Sequence, residues 1–168
     1  MKWLGTVLLA LLTFVTPSLA STLKGISTYE LIQEADLIIE ATPVFAESQW
    51  QSGRIFTRYT MQVEEYFFGD GAATIEVELL GGEINGIAQS VSGVPRLALG
   101  TTRLLFLRKH PQGLRFTPIQ LGLGVYDFDQ TRKAWTPNTA DLNVLGTTPQ
   151  PISVSELRRQ IEKRRGRK

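Results

Sequence analysis

The alternation of apolar and polar residues predicts a chain made mostly of β-strands. From Ile55 to Phe67, apolar residues recur at nearly every second position with polar residues between them, which is typical of a long, half-buried strand. A second alternating segment runs from Ile75 to Leu79 after a Gly-Asp-Gly turn, so the two segments are expected to pair as a hairpin. Segment 103–108 is apolar on both faces, which predicts a central strand.

Further strand-forming segments set the expected architecture. They lie at 37–45, with Pro43 marking a bulge or an edge and the strand ending near Ala46, at 115–120, and in a hairpin formed by 125–128 and 134–135. The five segments that begin at Leu37, Ile55, Ile75, Arg103 and Arg115 predict an open or closed barrel of five to six strands. A β-sandwich is the alternative fold.

Two helices are expected, one near each end of the β-domain. Ser27 and Glu30 have the spacing of a capping box, which predicts a short helix from about Thr28 to Ala35. Ser153 and Glu156 repeat this spacing at the start of a C-terminal helix.

The first twenty residues have the pattern of an export signal. Lys2 precedes an apolar run from Trp3 to Val15, Pro17 interrupts it, and small residues stand at Ser18 and Ala20. The run is shorter than the roughly 20 residues that a membrane-spanning helix needs. We therefore expect cleavage after Ala20 and a periplasmic or extracellular protein, a setting in which a cysteine-free chain suits a bacterial origin.

Charge divides the remaining chain unevenly. We expect a β-barrel domain at 21–136, a linker at 137–152, and a C-terminal helix with a basic tail at 153–168. Residues 21–157 carry a net charge of −5, whereas residues 158–168 carry +6. The tail is expected to be mobile and solvated, with weak contact to anionic surfaces at most. Its basic residues are Arg158, Arg159, Lys163, Arg164, Arg165, Arg167 and Lys168.

Composition argues against most kinds of catalytic site. The chain has no cysteine and a single histidine, His110, next to Pro111 in a predicted turn. No nucleophile, phosphate-binding or metal-ligand motif is present in the sequence, so we expect a non-enzyme with no catalytic residues, metal or cofactor. A carboxylate-dependent hydrolase is an alternative, because such enzymes leave little local signature. Its candidate carboxylates are Glu64, Glu65, Glu76 and Glu78, although surface charge of a hairpin explains them more simply.

A long glycine-containing segment from Gly81 to Pro95 is the first candidate binding site. Such loops inside compact domains are usually functional or disordered. The segment favours an exported protein-binding module, of which a protease inhibitor is one form. The candidate contact residues are Ile84, Ile87, Gln89, Ser90 and Ser92.

A stacking surface for a carbohydrate or an oligonucleotide is the alternative binding site. Strict alternation places Phe56, Arg58 and Tyr66 on one face of the long strand, with Trp50 just before it. Single-stranded nucleic acid would require a basic groove around these aromatic rings, which the net charge of −5 opposes.

Several segments resemble a recurring exported bacterial domain that carries no known activity. They are ADLII (35–39), GRIFT (53–57), VEEYFFG (63–69), GG (81–82), GVP (93–95) and LLFL (104–107). Their order is also similar to that of the netrin-like module of tissue inhibitors of metalloproteinases. This resemblance implies a five-stranded barrel of the oligonucleotide/oligosaccharide-binding (OB) type, flanked by helices. In those inhibitors an amino-terminal cysteine chelates the protease zinc, whereas this chain has no cysteine and its expected mature start is Ser21.

Overall fold

The computed structural model describes residues 22–111, 113, 115–139 and 142–166, and within them the fold is mainly β. The expected export signal, Arg167 and Lys168 lie outside the described residues. The helices are α1 (Thr28–Glu34) and α2 (Val154–Arg165), with a 3-10 turn at Leu121–Gly124. The strands are β1 (Thr22–Lys24), β2 (Leu37–Gln51), β3 (Arg54–Phe68), β4 (Thr74–Leu80), β5 (Gly82–Ile84), β6 (Ile87–Gln89), β7 (Arg103–Lys109), β8 (Phe116–Pro118), β9 (Val125–Asp129), β10 (Ala134–Pro137) and β11 (Asn143–Leu145).

Hydrogen bonds run in a ring through five of these strands. β2 pairs antiparallel with β3 on one side and with β7 on the other, and β3 pairs antiparallel with β4. β8 closes the ring, because it meets β4 in parallel at Val77 and Phe116 and pairs antiparallel with the end of β7. β9 pairs with the start of β7, and β10 pairs with β9. The predicted central position of β7 is confirmed, because it contacts β2, β8 and β9.

The β2–β3 hairpin is longer than the sequence predicts. The irregularity expected at Pro43 is confirmed, since the pairing register shifts between Pro43 and Phe45. The predicted end of the strand near Ala46 is wrong, because pairing continues to Gln51 and Arg54. Ser52 and Gly53 both have positive φ, 50° and 75°, which gives a two-residue turn whose twist matches long paired strands.

The segment from Gly81 to Pro95 is more regular than expected. Its first half is a hairpin, β5 and β6, joined by a two-residue turn at Asn85 and Gly86. Both turn residues have positive φ, 50° and 77°, a backbone conformation that Asn and Gly adopt most readily. The predicted loop is therefore confined to the residues after Gln89.

The predicted strand at 115–120 is shortened in the structure. β8 stops at Pro118, because the backbone at Gln120 and Leu121 turns to positive φ and enters the 3-10 turn. The predicted hairpin at 125–135 is confirmed as β9 and β10.

Two apolar clusters lie against the main sheet. One packs the helices on the sheet and includes Leu31 of α1, Leu157 and Ile161 of α2, and Phe106 and Tyr126 of the strands. The other consists mainly of buried strand residues, including Ile39, Tyr59, Met61, Val77 and Leu105. Each fully buried side chain of this size contributes about 1.5–3 kcal/mol relative to exposure, so α2 is an integral part of the domain.

The helix starts are confirmed, but only one capping box is complete. Ser27 N donates to Glu30 Oε2 at 2.8 Å, and Glu30 N donates back to Ser27 Oγ at 3.2 Å. Ser153 Oγ accepts from Glu156 N at 3.3 Å, whereas the Glu156 carboxylate instead accepts from Gln160 Nε2 at 2.7 Å. Among the described residues, no helix is both long enough and apolar enough to span a membrane.

Residues 137–152, expected to be a linker, are hydrogen-bonded to the domain at several points. β11 pairs in parallel with β1. Thr28 Oγ1 donates to Gln150 O at 2.9 Å and accepts from Gln150 N at 2.8 Å. Ile152 exchanges backbone hydrogen bonds of 2.8 and 2.9 Å with Trp135. These contacts lead the chain across the domain and into α2.

Candidate functional sites

The β5–β6 hairpin is fixed at its base to the β2–β3 hairpin. Gly81 N donates to Ile55 O, Thr57 Oγ1 donates to Gly81 O, and Ile55 N donates to Gln89 Oε1, all at 2.7 Å. Gly82 allows this close approach, because a Cβ atom there would lie 2.3 Å from Thr57 Oγ1. The hairpin is therefore held in one orientation while its tip faces solvent.

The structure gives the five predicted contact residues of this segment different environments. Ile87 lies next to the hairpin turn and is 56% exposed, and Ser90 and Ser92 are also exposed. Ile84 is half-buried. The Gln89 side chain accepts a hydrogen bond from the Ile55 amide, so it holds the hairpin in position and is not free to contact a partner. A contact surface here would consist of Ile87, Ser90 and Ser92.

A second exposed apolar surface lies at the β2 irregularity, and sequence reasoning did not identify it. Val44, Phe45 and Leu99 are each more than half exposed. Gly100 N donates to Pro43 O at 2.9 Å, which brings the segment containing Leu99 beside Val44. We call Val44, Phe45 and Leu99 the bulge surface. Exposed apolar side chains that gather in one place are a common mark of interaction surfaces.

The predicted stacking surface is not assembled on one face. Pairing opposes Glu40 to Glu65 and then Ala41 to Val63, so Glu64 is an extra residue in β3. An extra residue reverses which face the following side chains occupy. Tyr66 accordingly packs against the cluster that contains Tyr59 and Met61, so the prediction that it shares a face with Phe56 and Arg58 is wrong. Trp50 lies at the far end of β2 and is half exposed.

The candidate hydrolytic carboxylates form hydrogen bonds or ion pairs with neighbouring side chains of the domain. Glu78 is only 6% exposed, and its Oε2 lies 2.7 Å from Arg115 Nη1, so its predicted position on a solvent face is wrong. Glu76 Oε2 lies 3.5 Å from Arg58 Nε. Glu64 Oε1 accepts from Thr42 Oγ1 at 2.6 Å. Within the described residues, no group of three or more His, Asp or Glu side chains is arranged to hold a metal ion.

The basic C-terminal residues are mostly helical, because α2 extends to Arg165. Arg164 Nη1 donates to Ile32 O at 2.7 Å and to Ala35 O at 2.8 Å, and its guanidinium lies 3.7 Å above the Phe68 ring. Arg158 forms an ion pair with Glu65. The prediction of a mobile, solvated tail is therefore wrong for Arg158 and Arg164, which attach α2 to the domain.

A cleft of about 760 Å³ lies where β9 and β10 extend past the start of β7. We call it the β9–β10 cleft. Arg103 Nε donates to Asp127 Oδ1 at 2.7 Å, and Asn138 Nδ2 donates to Asp127 Oδ2 at 3.0 Å. Phe128 and Trp135 form an edge-on aromatic pair with ring centres 5.1 Å apart. The lining residues are Glu40, Gly100, Thr101, Thr102, Arg103, Asp127, Phe128, Gln130, Trp135 and Val154.

Two buried donors at this cleft have no hydrogen-bond partner among the described residues. They are Nη1 of Arg103, whose side chain is 11% exposed, and Nε1 of Trp135. Burial raises the pKa of the nearby Glu40 carboxyl, and the negative charges of Glu64 and Glu65 raise it further. Buried donors are usually paired in folded proteins, so two unpaired donors on residues that line one cleft mark it as a candidate ligand site.

Comparisons with known proteins do not assign a family, because no family model and no curated protein sequence matches this chain. The hairpin, the bulge surface and the cleft are therefore the features that bear on function.

Proposed function

We propose that this protein is an exported, non-catalytic protein-binding module whose recognition element is the β5–β6 hairpin with the exposed Ser90 and Ser92. The observation that carries the proposal is Ile87, an apolar side chain 56% exposed beside the turn of a hairpin whose base is hydrogen-bonded in place. Export rests on the pattern of the first twenty residues.

Preorganisation supports the choice of this hairpin. A binding loop that is already ordered loses less conformational entropy when a partner binds, so more of the contact energy appears as affinity. Burying the Ile87 side chain against a partner would contribute about 1.5–3 kcal/mol. A rigid exposed hairpin also suits a protease inhibitor, which is the more specific form of the proposal.

The fold we propose for the ring is an OB-type barrel. Taken in chain order, the first four strands of the ring are β2, β3, β4 and β7, and their order in space is fourth, first, second, third. This is a Greek-key order, and β8 joins its two outer strands, as a five-stranded Greek-key barrel requires. The connection after β4 carries the β5–β6 hairpin outside the ring.

Site-specific photo-cross-linking from position 87 tests the proposed function. A photoreactive residue replaces Ile87 in the full chain, and a matched chain carries it at Leu145, an apolar residue that is 69% exposed on β11. In the native cell-envelope fraction, we expect a discrete protein adduct from position 87 and none of that mass from position 145. The same adducts from both positions would contradict the proposal. If the Trp50→Ala variant no longer captures the protein partner while the Ile87→Ser variant still does, the result would favour the alternative stacking surface.

A further inference from the structure

We propose that the β9–β10 cleft is a separate binding site for a neutral oligosaccharide. This inference does not depend on the protein-binding function, because the cleft is lined by different residues from the β5–β6 hairpin. Its volume of about 760 Å³ is within the usual range for small-ligand sites, roughly 300–1,000 Å³.

Pairing across three strands fixes the polar part of the site. Arg103, Asp127 and Thr136 are directly opposite one another on β7, β9 and β10. Asp127 holds Arg103 through Nε and accepts a second hydrogen bond from Asn138, so the guanidinium is locked in orientation. Arg103 Nη1 is left as a fixed, buried donor with no partner among the described residues.

An aromatic pair supplies the apolar part. Trp135 is buried against Phe128 at an interplanar angle of 69°, and Phe128 remains 39% exposed. The face of an aromatic ring is electron-rich and favours contact with the weakly positive C–H groups of a sugar ring. The exposed ring surface is that of Phe128, and the buried Trp135 beside it carries the second unpaired donor, Nε1.

Charge at the cleft favours a neutral ligand over an anion. Asp127 already neutralises Arg103, and Glu40 adds another carboxylate to the lining. Hydroxyl groups can both donate and accept, so they suit a lining that combines these carboxylates with Arg103 and Trp135, whose buried N–H donors a ligand reaches only after a local side-chain shift. Thr101, Thr102 and Gln130 line the cleft and add further donors and acceptors. Sugar hydroxyls match this mixed set, whereas a phosphate or carboxylate would face two acidic side chains.

The outer edge of β10 argues against a peptide as the occupant. An extended peptide usually binds a sheet by adding a strand to a free edge. At Trp135, however, the backbone N–H donates to Ile152 O and the carbonyl accepts from Ile152 N. That part of the edge is already occupied, so the cleft offers side chains but no continuous strand edge.

The test is a titration of the ¹⁵N-labelled full chain with three neutral probes: cellotriose, maltotriose and N-acetylchitotriose. The readout is the indole Nε1–H resonance of Trp135, assigned by its loss in Trp135→Phe, with the Trp50 resonance as an internal control. We expect a saturable shift of the Trp135 resonance with at least one probe and no shift at Trp50. No saturable shift with any probe, or equal shifts at both indoles, would overturn the proposal.

Variants and a charged probe sharpen the result. Arg103→Lys keeps the charge but removes Nη1, so we expect at least roughly tenfold weaker binding. Phe128→Ala should weaken binding similarly and covers the case in which Arg103→Lys does not fold. Arg132→Lys, on the exposed turn between β9 and β10, is the matched control and should bind normally.

Unchanged binding in both cleft variants, or tighter binding of trigalacturonic acid than of the neutral probes, would contradict the site. Ile87→Ser should leave sugar binding intact, which separates this proposal from the proposed function.

Discussion

At the scale of single residues, the contacts of Arg164 explain why the basic end of the chain does not behave as a free tail. The sequence shows a block of like charges, which usually indicates a solvated segment. Arg164 instead donates to the carbonyls of Ile32 and Ala35, which lie at the end of α1, and stacks on Phe68. The sequence cannot indicate this, because the acceptors are about 130 residues away and depend on how the two helices pack.

We predict that Arg164→Ala lowers the free energy of unfolding by about 1–3 kcal/mol, because it removes two charge-assisted hydrogen bonds and a cation–π contact. The matched control is Lys163→Ala, an exposed residue one position earlier, which should change stability by less than about 0.5 kcal/mol. Urea unfolding followed by circular dichroism measures both. Equal effects of the two substitutions would show that Arg164 does not attach α2.

At the scale of elements, turn geometry decides where sequence reasoning succeeds. The alternation in β3 and β4 predicts their pairing correctly, because their apolar residues fall opposite one another, as at Tyr59–Val77 and Met61–Ile75. The end of β2 is mispredicted because its last residues, near Glu47 to Gln49, are polar and are held by the tight turn that follows. The Asn85-Gly86 signal was present in the sequence, but the three-residue strands beside it are too short to show alternation.

We predict that Gly82→Ala destabilises the protein by about 1–3 kcal/mol, because its Cβ would collide with Thr57 Oγ1 and its φ of 144° disfavours a side chain. Gly86→Ala meets no atom within 4 Å and should cost only about 1–2 kcal/mol for its positive φ. Hydrogen exchange at the Ile55 amide, which donates to Gln89, separates the two variants. Gly82→Ala should increase the exchange rate of the Ile55 amide, whereas Gly86→Ala should leave it nearly unchanged. Equal exchange rates of this amide in the two variants would contradict the anchoring of the hairpin.

At the scale of the whole molecule, the mainly β fold follows from the alternation, whereas the β9–β10 cleft depends on pairing between strands that are distant in sequence. Glu40, Arg103, Asp127 and Trp135 come from four strands, so their meeting at one cleft leaves no local motif in the sequence. The wrong face predicted for Tyr66 has a different origin, because one extra residue in β3 reverses the face of Tyr66 without altering the composition. The exposure of Ile87 has a local origin instead, because this residue follows the two-residue turn of the β5–β6 hairpin.

The affinity of the cross-linked partner for two matched variants tests the central claim, that Ile87 on the β5–β6 hairpin is a binding anchor. Ile87→Ser and Leu145→Ser each remove an exposed apolar side chain, so their effects on folding should be similar. In a titration with the purified partner, we predict that Ile87→Ser weakens binding about 10- to 100-fold, as expected for loss of a buried aliphatic contact, while Leu145→Ser leaves the Kd unchanged. Equal dissociation constants for the two variants would contradict the account.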